Sequence, residues 1–166
     1  MGDSVPNYTD YLKLGEVLKL QGGLENDESA LIPDELLFIV VHQALEWWFK
    51  IVNRELRLAR DQLSAPKVAE ETIPHVVHHL RRVNRVLELA VDHFKVMETL
   101  TPQDFLGFRE KITPASGFQS SQMREMETLL GIKPTQRVRY GKVDPIEHLE
   151  KLGKESEAGK AAWETI

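Results

Sequence analysis

The sequence predicts an all-α protein, a bundle of long antiparallel helices. Apolar residues recur at spacings of three and four along most of the 166 residues, which is the period of an α-helix. No segment alternates apolar and polar residues with period two, as a half-buried strand would. With 42% hydrophobic and 28% charged residues, the composition fits one helical domain over residues 1–166.

The first two helices differ greatly in length. A short helix is predicted over residues 8–21, ended by Gly22 and Gly23, and the polar stretch 24–31 is predicted as a loop. The second helix is predicted over residues 34–63, because proline and acidic residues favour a helix start. Its first half is apolar nearly all round, which predicts burial on several sides.

Four further helices follow. The third begins near Pro74 and keeps its period to Leu100. Thr101 and Pro102 form a helix start, which predicts a fourth helix over residues 102–111. A loop leads to a fifth helix over residues 119–130, and a sixth begins at residues 144–145 and is predicted to reach the C-terminus.

Composition excludes several classes of function. A net charge of −5 argues against a nucleic-acid binder, which needs clustered positive charge. The absence of cysteine excludes disulfides, thiolate metal sites and a thiol nucleophile. The longest apolar run, residues 36–41, is too short to span a membrane. We also find no secretory signal, so we expect a cytoplasmic protein.

His42 lies inside this apolar part of the chain. A buried imidazole needs partners for its nitrogens, so the residue is a candidate for ligand binding or proton transfer. The alternative is a core histidine that is hydrogen-bonded to Glu46 or to a backbone carbonyl.

Arg109 follows two phenylalanines in the predicted fourth helix. A guanidinium beside aromatic side chains is suited to gripping a carboxylate, because its planar fork matches the two oxygens. The alternative is a surface arginine that pairs with Glu110 or Asp104.

The turn at residues 116–120, with the sequence Ser-Gly-Phe-Gln-Ser, precedes a helix start. Such a turn can hold an anion or lie flat against a planar ligand. A tight connection between two helices needs the same residues, so the pattern leaves both possibilities open.

Three histidines, His75, His78 and His79, have the helical spacing of a metal site. They lack an acidic third ligand on the same face, and nearby arginines would repel a cation. We therefore predict no metal site in this protein.

Four segments together resemble the tryptophan 2,3-dioxygenase family. They are residues 8–14, 34–50, 98–102 and 105–120, which occur in the family's order and at its spacings. The resemblance covers most of residues 8–131. It implies a haem-dependent oxidoreductase, typically a homotetramer, that inserts both atoms of O₂ into the indole ring of L-tryptophan. The product is N-formylkynurenine, the first intermediate of the kynurenine pathway of tryptophan catabolism.

The resemblance also assigns residues to the substrate. The segment that lines the indole pocket is Phe38, Ile39, Val40, Val41 and His42. His42 is expected to act in catalysis by accepting a hydrogen bond from the indole N–H. Arg109 is expected to bind the substrate carboxylate, with Phe105 at its side.

Further assignments concern the cofactor, haem b, and a neighbouring subunit. Phe94, Ser116 and Gly117 are expected to contact the haem. A group at the N-terminus is expected to reach into the neighbouring subunit's substrate site: Tyr8, Tyr11 and Leu12.

The chain departs from the family pattern in two places. Relatives commonly have His-Asp-Glu where this sequence has Pro-Asp-Glu at residues 33–35, which we expect to alter only the helix start. Family chains are also longer, and their iron-ligating histidine lies in a C-terminal half that has no match here. The surroundings of His148 do not resemble the ligand segment. We therefore expect an N-terminal portion or a truncated form; the alternatives are a haem-free indole-binding module and a helical subunit of a haem-bearing partner.

Overall fold

The computed structural model describes residues 7–139, 144–155 and 160. Within these residues the chain forms α-helices, short 3₁₀ turns and connections, with no strand, so the predicted all-α class is confirmed. The helices are α1 (Tyr8–Leu12), α2 (Leu14–Val17), α3 (Glu35–Leu63), α4 (Ile73–Met97), α5 (Pro102–Ile112), α6 (Ser121–Leu129) and α7 (Pro145–Glu155).

The two long helices α3 and α4 form an antiparallel pair at the centre of the fold. Glu55 near the end of α3 contacts His79 near the start of α4, whereas Trp48, earlier in α3, lies beside His93, later in α4. Two clusters of buried side chains join the pair. One contains Val52, Leu56, Val83 and Val86, and the other contains Val41, Leu45 and Ala90.

The first half of α3 is less buried than its composition predicts. Trp47 is 52% exposed and Val40 is 45% exposed, although both lie in the apolar segment. A helix turns through about 100° per residue, so the neighbouring helices cover only part of its circumference. The expectation of burial on several sides is therefore wrong for these two residues.

The predicted first helix is two short helices. Lys13 lies between α1 and α2 with a φ of +56°, a left-handed conformation that ordinary residues adopt at some cost. Neither short helix has a buried residue. Since short helices are marginal without packing, nothing holds residues 8–21 in one continuous helix. The loop predicted after them contains two 3₁₀ turns, Gly23–Glu25 and Glu28–Ala30.

The later helices begin close to their predicted positions. Thr101 caps α5 by accepting a hydrogen bond of 3.2 Å from the backbone N–H of Asp104. The fifth predicted helix is shorter than expected, because residues 117–119 form a 3₁₀ turn before α6. The last predicted helix corresponds to α7, and its predicted continuation to the C-terminus lies mostly outside the described residues. No described helix is long and apolar enough to cross a membrane.

Candidate functional site

The imidazole of His42 is half-buried on α3 and has one nitrogen occupied. Nδ1 lies 2.7 Å from the backbone carbonyl oxygen of Phe38, one turn earlier. Because a carbonyl only accepts, Nδ1 carries the proton, and Nε2 of a neutral ring is left as an acceptor. The sequence leaves two partners open for a core histidine here, a backbone carbonyl and Glu46. The structure shows the carbonyl, and Glu46 accepts a hydrogen bond from Gln122 instead. His42 therefore offers an unshared lone pair.

Three phenylalanine rings attach α5 to the first turns of α3. The ring of Phe38 lies 5.9 Å from that of Phe105 and 5.3 Å from that of Phe108, centroid to centroid. Its ring also lies 4.1 Å from the imidazole of His42. Phe108 is completely buried. The aromatic cluster therefore places the residues of α5 beside His42.

The guanidinium of Arg109 is held in place without being neutralised. Its Nη1 donates a hydrogen bond of 3.1 Å to the carbonyl of Ala115, and its carbon lies 5.9 Å from the ring centroid of Phe105. Among the described residues no carboxylate forms an ion pair with it, and Asp104 bonds to Thr101. The sequence alternative of a surface pair with Glu110 or Asp104 is therefore wrong. The remaining N–H groups can bind a carboxylate from outside the chain.

A cavity of about 260 Å³ lies beside His42. It is bounded by α3, α4, the turn at residues 116–118 and α6, and most of its surface is apolar. Its lining is His42, Leu45, Glu46, Phe49, Phe94, Ser116, Gly117, Phe118 and Met123. The cavity lining thus includes one residue that the resemblance assigned to the substrate, His42, and the three that it assigned to the haem, Phe94, Ser116 and Gly117.

The turn at this cavity is fixed by its own hydrogen bonds. The backbone N–H of Ser116 donates to the side-chain oxygen of Gln119 at 3.0 Å, and the Ser116 hydroxyl accepts from the N–H of Phe118 at 3.3 Å. A Cβ placed on Gly117 would meet no other atom within 4 Å. Packing therefore does not require glycine at this position, and the glycine leaves the cavity surface open.

Sequence reasoning missed five lining residues. Leu45, Glu46 and Phe49 follow His42 by three, four and seven residues, the spacing of one helix face, so the helical period could have found them. Phe118 and Met123 line the cavity from the following turn and helix. Their position depends on where α6 packs, which no local pattern shows.

Comparisons with known proteins decide the family. The sequence profile of tryptophan 2,3-dioxygenase matches residues 2–160. The chain belongs to the tryptophan 2,3-dioxygenase family. Tryptophan 2,3-dioxygenase 2 of Ralstonia nicotianae is 52% identical over 132 residues, covering 80% of this chain and 36% of the relative.

Two other curated tryptophan 2,3-dioxygenases give the same result. The protein of Sorangium cellulosum is 47% identical over 82% of this chain and 33% of its own length. That of Anopheles gambiae is 43% identical over 80% of this chain and 34% of its own length. The chain thus spans about a third of the length of these relatives.

Other residues assigned by resemblance to this family lie apart from the cavity lining. Phe38 lies on the same side of α3 as the cavity residue His42. Val41 is buried in the core, Val40 is exposed and Ile39 is half-buried. Consecutive helical residues point in different directions, so α3 does not present residues 38–42 on one face. Tyr8, Tyr11 and Leu12 are exposed on α1, at 74%, 80% and 40%. The roles of these residues stay predictions.

Two histidines of α4, His78 and His79, take part in contacts between side chains. Nδ1 of His79 lies 2.6 Å from the Glu55 carboxylate, which also accepts a bond of 2.8 Å from Arg82. Arg82 donates in addition to Nε2 of His78 at 3.0 Å. The described residues contain no cluster suited to a metal ion. In this member of the tryptophan 2,3-dioxygenase family, His79 joins α4 to α3 through Glu55, whereas His78 is bonded within α4.

Proposed function

We propose that this chain forms the substrate-binding side of a haem-dependent site that cleaves the indole ring of L-tryptophan with O₂. The product is N-formylkynurenine. One observation carries the proposal. The Nε2 acceptor of His42 and the Arg109 guanidinium, which pairs with no described carboxylate, lie at the two ends of one aromatic cluster. The rings of Phe38 and Phe105 connect His42 to Arg109 through contacts of 4.1, 5.9 and 5.9 Å.

These groups match the polar atoms of tryptophan. Nε2 of His42 accepts the hydrogen bond of the indole N–H, because Nδ1 is already bonded to Phe38. Arg109 binds the carboxylate, and the nearby rings shelter the pair from water. Such a site discriminates against indoles without a carboxylate, since they leave the guanidinium unpaired.

The cavity lining fits one edge of a haem. Phe94, Phe118 and Met123 provide an apolar surface, and Gly117 leaves room for a planar group. Phe94, Ser116 and Gly117 would hold the haem there. Bound haem supplies the activation of O₂. The proposal places the iron ligand outside the described residues, because the resemblance assigns it to a part of the family's chains that these residues do not match.

The proposal includes a homotetramer in which α1 reaches a neighbouring copy. Tyr8 and Tyr11 are 74% and 80% exposed, and exposed aromatic rings are typical of surfaces that another chain covers. The cytoplasm is the compartment that the proposal assigns, in agreement with the sequence expectation.

Calorimetry with L-tryptophan tests the proposal, in the presence and absence of haem. Wild-type protein is expected to bind L-tryptophan in the presence of haem. Release of N-formylkynurenine, followed by mass spectrometry, is not expected from this chain alone, because the proposal places the iron ligand outside the described residues. Arg109→Ala is expected to weaken binding by about 10-fold or more, the usual effect of losing a hydrogen bond to a charged group. Arg85→Ala is the matched control, since Arg85 forms only an exposed pair with Glu88. Equal binding by Arg109→Ala and wild type would contradict the proposed clamp.

A second candidate is a haem-free module that binds an indole amino acid. The free acceptor of His42 and the unpaired Arg109 are both present without any cofactor. Heat of L-tryptophan binding in haem-free protein, abolished by Arg109→Ala and unchanged when haem is added, would favour this candidate over the dioxygenase.

A further inference from the structure

Glu35, the first residue of α3, carries a buried carboxylate. The residue is 1% exposed. Its oxygens accept hydrogen bonds from Lys111 Nζ at 3.0 and 3.1 Å and from the backbone N–H of Ile32 at 3.2 Å. A buried carboxylate is costly unless a cation and hydrogen bonds compensate it. Among the described residues Lys111 is the cation that does so.

Lys111 is itself held by a second carboxylate. Its Nζ lies 2.8 Å from Glu25 as well as 3.0 Å from Glu35. Hydrogen bonds to Glu25 and Glu35 raise the pKa of the Lys111 ammonium above its usual value, so the group stays charged at neutral pH. The ammonium connects the last turn of α5 to the first turn of α3.

This connection lies on the side of α5 that faces α3. Phe108 and Lys111 are three residues apart, so they occupy the same side of the helix on successive turns. Phe108 packs on Phe38, which follows Glu35 by three residues on α3. Two successive turns of α5 thus contact two successive turns of α3.

Arg109 lies on the flank of α5, because it follows Phe108 by one residue, about 100° around the helix axis, and its guanidinium lies over the Phe105 ring. Arg109 is two residues from Lys111, a rotation of about 200° around the helix axis. A rotation of α5 about its own axis would therefore move the guanidinium of Arg109 relative to Phe105 and His42.

Phe105 and Phe108 both hold α5 through ring contacts with Phe38. The Lys111 ammonium holds both oxygens of the buried Glu35 carboxylate one turn further along α5, and two points of attachment on successive turns resist rotation of the helix better than the rings alone.

We propose that the Glu35–Lys111 pair sets the rotation of α5 and thereby aims Arg109 at the ligand carboxylate. Glu35 and Lys111 are then positioning residues that determine the preference for an indole ligand bearing a carboxylate. The inference rests on the proposed function, since it concerns the same clamp. A misplacement of about 1 Å can cost two orders of magnitude in a positioned reaction, so loss of the pair has a measurable effect.

The test compares affinities for L-tryptophan and tryptamine, which has the same indole without the carboxylate. Wild type, Lys111→Met, Glu35→Gln and the double variant are titrated by calorimetry with haem added. Each single variant is expected to lower the preference for L-tryptophan by about 10-fold, as expected for a lost charge-assisted contact. The double variant is expected to match the single variants, because the two residues act as one unit. Lys111→Arg is expected to keep the preference.

Controls separate positioning from stability. Lys95→Met removes another lysine of an ion pair, the exposed Lys95–Asp92 pair on α4, and is expected to leave the preference unchanged. Thermal unfolding identifies any variant that is not folded. If Lys111→Met is not folded, the comparison uses Glu35→Gln instead, because glutamine keeps the shape of the glutamate side chain. Equal weakening of both ligands, or an unchanged preference in a folded Lys111→Met variant, would overturn the inference.

Failure of the proposed function gives a different result. If wild type shows no preference for L-tryptophan and Arg109→Ala changes nothing, the clamp itself is wrong. Hydrogen exchange then tests the connection directly: Lys111→Met is expected to reduce protection in residues 102–112 while leaving residues 73–97 unchanged. Unchanged protection in residues 102–112 would show that the pair does not hold α5.

Discussion

The carboxylate of Glu55 and the imidazole of His79 lie 2.6 Å apart across the two central helices. Arg82 binds the other carboxylate oxygen at 2.8 Å. Burial raises the pKa of Glu55, but hydrogen bonds from His79 and Arg82 outweigh it and hold the pKa below the usual value. His79 is one of three histidines that have the spacing of a metal site, where the sequence predicted no metal.

Glu55→Gln is expected to lower the free energy of unfolding at pH 7 by about 1 to 3 kcal/mol, because two donors lose a buried anionic partner. A depressed pKa in the folded state means that the stabilisation is present above the unfolded pKa of about 4.5. It is lost as the pH falls through the lower folded pKa. Urea denaturation at several pH values is therefore expected to show the difference from wild type shrinking below about pH 4.5.

Glu88→Gln is the control for this prediction. Its partner Arg85 is 84% exposed, and Glu88 is 64% exposed, so the change is expected to be under about 1 kcal/mol. A difference between Glu55→Gln and wild type that stays constant as the pH falls would contradict the assigned linkage.

Phe108→Ala is expected to destabilise the protein by about 3 to 5 kcal/mol, the range for removing a fully buried phenylalanine. The residue is 0% exposed and packs between Phe38 and Phe105. Chemical denaturation measures the effect. Leu106→Ala is the matched control, since Leu106 is 67% exposed on the same helix; similar losses in both variants would argue against the aromatic cluster as the anchor of α5.

His42→Ala is expected to weaken L-tryptophan binding by about 2- to 10-fold, the usual range for losing one hydrogen bond between neutral groups. Binding of 1-methyl-tryptophan, which has no indole N–H, is expected to change little. Calorimetry with both ligands measures the difference. His75→Ala, an exposed histidine on α4, serves as the control, and equal weakening of both ligands by His42→Ala would argue against Nε2 as the indole acceptor.

Asn53→Ala is expected to lower stability by about 1 to 3 kcal/mol, because it leaves buried acceptors without donors. Asn53 is 1% exposed and donates to the carbonyl of Gln122 at 2.9 Å and to the Glu125 carboxylate at 3.1 Å. Hydrogen exchange is expected to show loss of protection in residues 121–129 before other helices. Asn84→Ala changes an exposed asparagine of α4, and an equal loss there would rule out a special role for Asn53.

Several features of the fold follow from local sequence. The apolar period of three and four defines α3 and α4, since this spacing gives each helix a continuous face for the core. Thr101 caps α5 as predicted, because a cap depends on residues only three positions apart. The single helix expected over residues 8–21 was wrong, because its period lacked a packing partner.

The sequence by itself determined the class, the long helices and, through its motifs, the family. Only the tertiary structure decided which nitrogen of His42 is free, that Arg109 has no carboxylate among the described residues, and that Lys111 neutralises Glu35. The physical reason is distance along the chain. Helix periods and caps are set by neighbours within a turn, whereas Glu35 and Lys111 are 76 residues apart and meet only because the aromatic cluster brings α5 onto α3.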